Sequence, residues 1–254
     1  MDEVPVTSDL PGNFTIEKKG TLDVRVMTTE NKKAKLTVVL AVLANGDKLP
    51  AYVIFRRKTL PKAKVPPNVI MSANEKSCMN STETQLWAEK VWNKRKGSFF
   101  NKKCLLMLDA APGHKTASTL SKFKTLATTV AMIPGGLTKK LQVLDISVNK
   151  SFKRHLRKSW ETWMVNGYHQ FTKSGHIKKA SNDTILQWIS DAWDKVPTSA
   201  IINGFKATGI DFYAENIDNA DEIEVEDDSS DEENEDNEAY EKLLDIFADT
   251  VKYF

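Results

Sequence analysis

Three aspartates have the chemistry and the positions of a metal site. Asp109 ends the apolar run 104–108, Asp145 follows the segment 141–144, and thirty-five residues lie between them. Asp2 is almost the first residue of the chain. Carboxylates at the ends of buried strands can converge on one point, and Mg²⁺ prefers oxygen ligands while keeping positions open for water and phosphate oxygens. The three acids therefore predict metal-dependent phosphodiester chemistry on a nucleic acid.

The charge of the chain is distributed unevenly around a formal net charge of +2. Residues 215–254 hold 17 of the 34 acidic residues and two of the 36 lysines and arginines, so they carry −15 while residues 1–214 carry +17. A body this basic attracts polyanions through phosphate neutralisation and counterion release. The lysines could also merely solvate the surface, but their clustering at 56–58 and 150–158 favours a nucleic-acid partner.

The sequence lacks the features of a membrane or secreted protein. No apolar run reaches the roughly 18–20 residues that a membrane-spanning helix needs, and the acidic N-terminal residues lack the apolar region of a signal peptide. With only Cys78 and Cys104, a disulfide framework is not expected. A reducing compartment, the cytosol or the nucleus, fits this cysteine content.

The elements needed to position the acids describe an α/β fold. Residues 5–20 are expected to form a loop because Pro5, Pro11 and Gly20 interrupt them. Alternating and continuous apolar patterns predict an antiparallel meander, and later patterns alternate between helix and strand. The predicted strands are 21–28, 35–43, 51–55, 68–71, 104–109 and 130–133, and the predicted helices are 82–94, 118–126, 145–165, 185–193 and 199–207.

The helix that follows Asp145 is strongly amphipathic. One side carries an apolar stripe from Val148 to Trp163, and the tryptophans of this region fall at spacings typical of core packing. The other side carries the basic residues that we expect to contact the DNA backbone, together with a basic loop after the third predicted strand. These residues are Lys150, Lys153, Arg154, Arg157, Lys158, Arg56, Arg57 and Lys58.

Three regions follow from these patterns. Residues 1–214 form the globular domain. Residues 215–239 contain fourteen acids and no lysine or arginine, so they cannot bury enough apolar area to offset the entropy of ordering, and we expect a disordered linker. Residues 240–254 predict a short amphipathic helix, which is either an interaction motif or a frayed terminus.

Several spaced motifs resemble the catalytic region of Pogo/Tigger-type transposases, the DDE superfamily endonuclease domain shared with jerky-like and centromere-protein-B-like proteins. The motifs are Met1-Asp2-Glu3-Val4-Pro5-Val6, Pro11-Gly12-Asn13, Lys19-Gly20, Leu108-Asp109-Ala110-Ala111-Pro112-Gly113-His114, Ile133-Pro134-Gly135-Gly136-Leu137-Thr138, Leu141-Gln142-Val143-Leu144-Asp145 and Asn149-Lys150-Ser151-Phe152-Lys153. The resemblance covers about residues 1–210. It implies a ribonuclease-H-like fold, in which a mixed sheet flanked by helices carries one acid on the first strand, one on a parallel strand and one on a later helix.

The resemblance also implies roles for individual residues. Asp2, Asp109 and Asp145 match the three catalytic acids, which would hold two Mg²⁺ or Mn²⁺ ions about 3.5–4 Å apart for DNA cleavage and strand transfer. Val4 and Val143 replace the usual Thr and Pro, and neither change removes a ligand. The family has a strand before its first acid, so we expect a truncated first strand that leaves Asp2 without a rigid support.

Some assignments stay open at this level. His114 could bind a phosphate or tune the site, or it could cap or pack at the start of a helix. Asn149 could help clamp the DNA backbone. The chain could be an active nuclease, working as a homodimer as transposases usually do, or a domesticated, non-catalytic protein associated with DNA or chromatin. The acidic tail could bind basic partners or fold back on the basic body.

Overall fold

The computed structural model describes residues 1–11, 19, 29, 35–96, 103–173 and 175–210. The strands are β1 (Asp2–Thr7), β2 (Lys35–Leu40), β3 (Ala51–Arg56), β4 (Val69–Asn74), β5 (Cys104–Asp109) and β6 (Thr128–Ile133). The helices are α1 (Ser81–Lys90), α2 (Ala117–Thr125), α3 (Thr138–Leu141), α4 (Asn149–Asn166), α5 (Asn182–Asp194) and α6 (Thr198–Ala207). A 3₁₀ turn covers Trp92–Lys94, and a π-helical segment covers Leu144–Val148.

The strands form a four-stranded sheet in the order β1-β2-β3-β4 and a parallel pair, β5-β6. The pairs β1-β2 and β2-β3 are antiparallel, and β3-β4 is parallel. The amino nitrogen of Met1 donates to the Met107 carbonyl at 3.2 Å, so the start of β1 lies beside β5. The prediction of an α/β fold with a mixed sheet is confirmed.

The side chains of β2 alternate between two cores, one on each face of the sheet. Leu36, Val38 and Leu40 pack with apolar residues of α4 and α5. Val39 faces the opposite side, where Trp87 of α1, Phe123 of α2 and the β5 leucines form the second core. The sheet is therefore covered by helices on both faces, as a ribonuclease-H-like fold requires.

The tryptophans of the C-terminal half support the cores, as predicted. Trp160 and Trp193 are buried. Trp163 and Trp188 meet edge to face with ring centroids 5.6 Å apart. None of the four serves as an exposed stacking surface, so the interpretation that they pack is confirmed.

The expected loop from Pro5 and the expected lack of support for Asp2 are both wrong. Residues 2–7 form β1, in which Asp2 pairs with Leu40 and Pro5 with Thr37. Proline is tolerated here because β1 is the edge of its four-stranded sheet, where a missing N–H breaks no ladder. Asp2 is therefore held by a strand whose next side chains on the same face, Val4 and Val6, are buried.

Most other described elements differ from their predictions at their ends, and the short helix α3 was not predicted. The long helix predicted from Asp145 is divided, because the π-helical segment precedes α4. The predicted strand at 21–28, the acidic linker at 215–239 and the helix at 240–254 lie outside the described residues. Among the helices that are described, none is both long enough and apolar enough to cross a membrane.

Candidate active site

β1 and β5 place two of the three predicted acids at neighbouring strands. Asp2 is the first residue of β1, and Asp109 is the last residue of β5. Alternation along β1 puts Asp2 on the face of Val4, which packs with α4 and α5. Alternation along β5 puts Asp109 on the face of Leu105 and Met107, which pack beside α6. Asp2 therefore lies on the side of α4 and α5, and Asp109 lies on the side of α6.

The third acid, Asp145, lies in the π-helical segment Leu144–Val148 and is exposed. Helix α6 holds this segment closely. The Ser147 Oγ donates to the Ala200 carbonyl at 2.8 Å, and a Cβ added at Gly204 would lie only 2.4 Å from the Ser147 Oγ. Single-turn π segments occur often at functional sites. Here the wider turn precedes α4 directly and brings Asp145 to the sheet edge.

Asn149 joins Asp2 to Asp145. Its amide nitrogen donates to the Asp2 Oδ2 at 2.5 Å and to the Asp145 Oδ1 at 2.9 Å. The two carboxylate oxygens are therefore separated by no more than the sum of these distances. Burial raises the pKa of Asp2 to about 6; the Asn149 hydrogen bond opposes this rise, and the nearby Asp145 charge adds to it. The pair is a site of crowded negative charge.

Asp109 is held by His114, which is only 1% exposed. The His114 Nδ1 lies 2.7 Å from the Asp109 Oδ1, and the Nε2 lies 3.1 Å from the Glu3 Oε1. The second contact has the distance of an ion pair but not the alignment of a hydrogen bond. The cap of α2 is Thr116, not His114, so His114 is buried between Asp109 and Glu3 without capping the helix.

The two carboxylates determine the charge of His114. Burial alone would lower the pKa of His114, but its contacts with Asp109 and Glu3 raise the pKa to about 9. In turn, the His114 hydrogen bond is the main cause of a lowered pKa at Asp109. At neutral pH the arrangement is an imidazolium between two carboxylates, which fixes the Asp109 side chain in its charged form.

The chemistry of this edge fits a hard divalent cation. Asp2, Asp109 and Asp145 supply carboxylate oxygens, and the buried Oδ1 of Asn149 has no hydrogen-bond partner. In the described part of the chain, no three His, Cys, Asp or Glu side chains already converge closely enough to form a metal-ligand group. Asn149 bridges Asp2 and Asp145, whereas His114 holds Asp109 separately.

The predicted basic residues fall into two groups. Lys150, Lys153, Arg154 and Lys158 are exposed on α4, which starts at the acids, and Arg157 is half-buried. Arg56, Arg57 and Lys58 lie instead at the other end of the sheet, where β3 ends. Lys58 pairs there with Glu75 at 3.5 Å. The sequence did not predict this separation, because it depends on strand register.

Two contacts of the site were missed by sequence reasoning. Glu3 was noted only as part of the first motif, yet it forms the second contact of His114. The bridging role of Asn149 could have been inferred, since a residue four positions after Asp145 lies on the same helical face. The contact of Glu3 with His114 had no local signal, because 111 positions separate them in the chain.

Comparison with known proteins agrees with these motifs. The sequence model described as DDE superfamily endonuclease matches residues 33–205. A Homo sapiens protein named Pogo transposable element with KRAB domain is 32% identical over 222 residues, which are 87% of this chain and 36% of that protein. The Mus musculus protein of the same name is 32% identical over 205 residues, or 81% of this chain and 34% of that protein. The chain thus spans about a third of the length of these relatives.

A solved structure also aligns with the chain. It is the Mos1 transposase paired-end complex with left transposon end. The alignment covers 84% of the present chain and 54% of the Mos1 transposase chain. The TM-score is 0.44 and the sequence identity is 11%.

Proposed function

Because the chain belongs to the DDE superfamily endonuclease family, we propose that it is a transposase-derived DNA-binding domain with metal-dependent phosphodiester chemistry. The observation that carries the proposal is the bridge from Asp2 through Asn149 to Asp145, with Asp109 at the end of the neighbouring strand. Three of the motif residues, Asp2, Asp145 and Asn149, thus lie together although they are far apart in sequence.

Each residue of this edge has a distinct role in the proposed reaction. Asp2, Asp109 and Asp145 would hold Mg²⁺ or Mn²⁺. Such ions lower the pKa of an attacking water or hydroxyl and stabilise the leaving oxygen at a phosphate. Asn149 keeps the Asp2 and Asp145 carboxylates at a fixed separation, and His114 keeps Asp109 charged and oriented.

Helix α4 supplies the contacts that would hold DNA beside the acids. Its exposed cations from Lys150 to Lys158 extend about 12 Å from the acidic edge, at 1.5 Å per residue. Cations at this distance would neutralise phosphates next to the one that reacts, and such contacts position the duplex without reading its sequence. Because its proposed substrate is DNA, we propose that the protein acts in the nucleus. We also propose that the protein acts as a homodimer.

Metal dependence tests this function. We expect the purified chain to nick supercoiled plasmid in Mn²⁺ or Mg²⁺, and we expect EDTA or replacement by Ca²⁺ to abolish nicking. The readout is conversion of supercoiled to open-circular plasmid on agarose gels, with DNA binding measured in parallel. If DNA binding persists and no divalent metal supports nicking, the chain is instead a non-catalytic protein associated with DNA or chromatin.

The charge split supports a role for the C-terminal segment as an internal competitor of DNA. Residues 215–254 carry −15 and residues 1–214 carry +17, so the acidic segment can bind the basic body or other basic partners. Deleting 215–254 is expected to tighten duplex binding at least several-fold in 50 mM salt and much less in 300 mM salt, because screening shortens charge interactions. Fluorescence anisotropy measures both affinities, and an unchanged affinity at low salt excludes the self-binding proposal.

A further inference from the structure

A basic groove lies at the end of the sheet opposite the acids. Its volume is about 850 Å³, and it is lined by the start of β2, the end of β3 and the residues that lead into α5. The register of β1 fixes its position, because Asp2 pairs with Leu40 whereas Thr7 pairs with Lys35. Five strand residues, or about 17 Å, separate the acidic edge from this groove.

The groove concentrates unpaired positive charge. Among the described residues that line it, Asp183 is the only acidic one, and the Asp183 Oδ1 accepts a hydrogen bond from the Lys64 backbone N–H at 3.2 Å. No carboxylate of the described residues forms an ion pair with any of its cations. The cations, all of them exposed, are Lys35, Arg56, Arg57, Lys62, Lys178 and Lys179.

Two exposed aromatic residues, Tyr168 and Phe171, come shortly before the lining residue Thr172 in the chain. Phe171 and Ile177 form an isolated bridge, and Lys178 continues directly into the lining. Phe171 is 60% exposed and Tyr168 is fully exposed. Aromatic rings beside cations are typical of surfaces that bind nucleic acids, because the rings can stack on bases or pack on sugars.

We propose that this groove binds the sugar–phosphate backbone of DNA outside the reacting phosphate. A small anion would engage one or two of the six cations, whereas a polyphosphate chain can neutralise all of them and release counterions. The inference rests on the proposed function for the identity of the polyanion. A separation of 17 Å corresponds to roughly five base pairs of duplex, so the groove would contact DNA at least that far from the cleaved bond.

Charge-removing variants of the full chain test the groove. The groove variant is Arg56→Gln/Lys178→Gln/Lys179→Gln, and the matched control is Lys90→Gln/Lys94→Gln/Lys124→Gln, which removes three positive charges from α1, α2 and the 3₁₀ turn. Binding to a 30-base-pair duplex and to a 30-nucleotide single strand is measured by anisotropy in EDTA between 50 and 300 mM salt. Equal thermal unfolding temperatures show that both variants remain folded.

We expect the groove variant to bind at least tenfold more weakly than wild type near 0.1 M salt. Its slope of log K against log salt should be smaller by about 2–3, since each lost phosphate contact removes about 0.9 for duplex or 0.7 for single strands. Whichever of the two DNA molecules, duplex or single strand, shows this loss of affinity and slope is the form that the groove binds. If the groove variant has the same affinity and salt slope as the control variant, the proposal is overturned. That outcome also covers the case in which residues 215–239, rather than DNA, occupy the groove.

The outcome is separable from failure of the proposed function. If metal-dependent nicking is absent but the groove variant loses slope, the groove binds DNA and the catalytic proposal fails. If nicking is intact and the slope is unchanged, the groove proposal fails alone. A duplex series then measures reach: affinity should keep rising until the DNA extends more than about five base pairs beyond the cleaved bond.

Discussion

Asp109→Asn is expected to lower metal-dependent nicking by about 10³-fold. Several kcal/mol of transition-state stabilisation depend on the charge that the ligands present to the metal, and each 1.36 kcal/mol corresponds to a tenfold change in rate. Asparagine keeps the size of the side chain and an oxygen that can accept the Ala111 N–H, which now bonds the Asp109 Oδ1 at 3.2 Å. The rate of open-circle formation at saturating Mn²⁺ measures the effect.

A conservative change elsewhere isolates the effect of this position. Asp191→Asn removes a carboxylate from α5, where Asp191 accepts a hydrogen bond from Gln187 at 2.7 Å and has no contact with the acidic edge. We expect this control to nick at the wild-type rate. Nicking at the wild-type rate by both variants would contradict the assignment of Asp109 as a metal ligand. Loss of nicking in both variants would instead indicate a general effect of charge.

The parts of the fold predicted from sequence are those determined by local patterns. The apolar run before Asp109 is β5, and the stripe from Val148 to Trp160 is the buried face of α4. Both patterns have the period of their element and extend over several residues, so packing agrees with local preference. The family motifs predicted the family, and the match of the family model over 33–205 confirms that recognition, while the roles of the three acids stay predictions.

The errors occur where long-range pairing overrides local signals. Pro5 predicts a loop, yet pairing with β2 and burial of Val4 and Val6 hold residues 2–7 as a strand. The π-helical turn that contains Asp145 packs against Gly204 of α6, some sixty positions away, where an added Cβ would lie 2.4 Å from the Ser147 Oγ. No periodicity in the sequence encodes such a long-range contact.

The grouping of the surface charges also depends on long-range pairing that local sequence patterns do not predict. The sequence predicts a basic loop at Arg56 and Arg57 and assigns no role to Lys178 and Lys179. The antiparallel register of β1, β2 and β3 places the end of β3 away from Asp2, and the four residues line one groove. Net charge therefore predicts a polyanionic partner, but only the topology shows that the exposed cations divide between α4 and a second groove.

His114→Gln is expected to destabilise the fold by about 3 kcal/mol near pH 6. The variant leaves the Glu3 and Asp109 carboxylates without the cation that lies between them, and breaking a buried ion pair by removing one partner typically costs about 3–5 kcal/mol. The rise in the His114 pKa from 6.5 to about 9 corresponds to a similar free energy. Urea unfolding followed by tryptophan fluorescence measures the change.

The pH dependence distinguishes lost charge from lost packing. The folded state holds the His114 proton more tightly than the unfolded state, so its stabilisation is complete below pH 6.5 and is lost as the pH rises through about 9. The buried Met1 amino group has a lowered pKa and acts in the opposite direction, but it is common to both proteins. The free-energy difference between wild type and His114→Gln should therefore shrink steadily from pH 6.5 to 9.

The control variant is His155→Gln, on the surface of α4, which should leave the wild-type pH profile in place. If the loss of stability in His114→Gln stays constant across this range, the imidazole contributes packing alone.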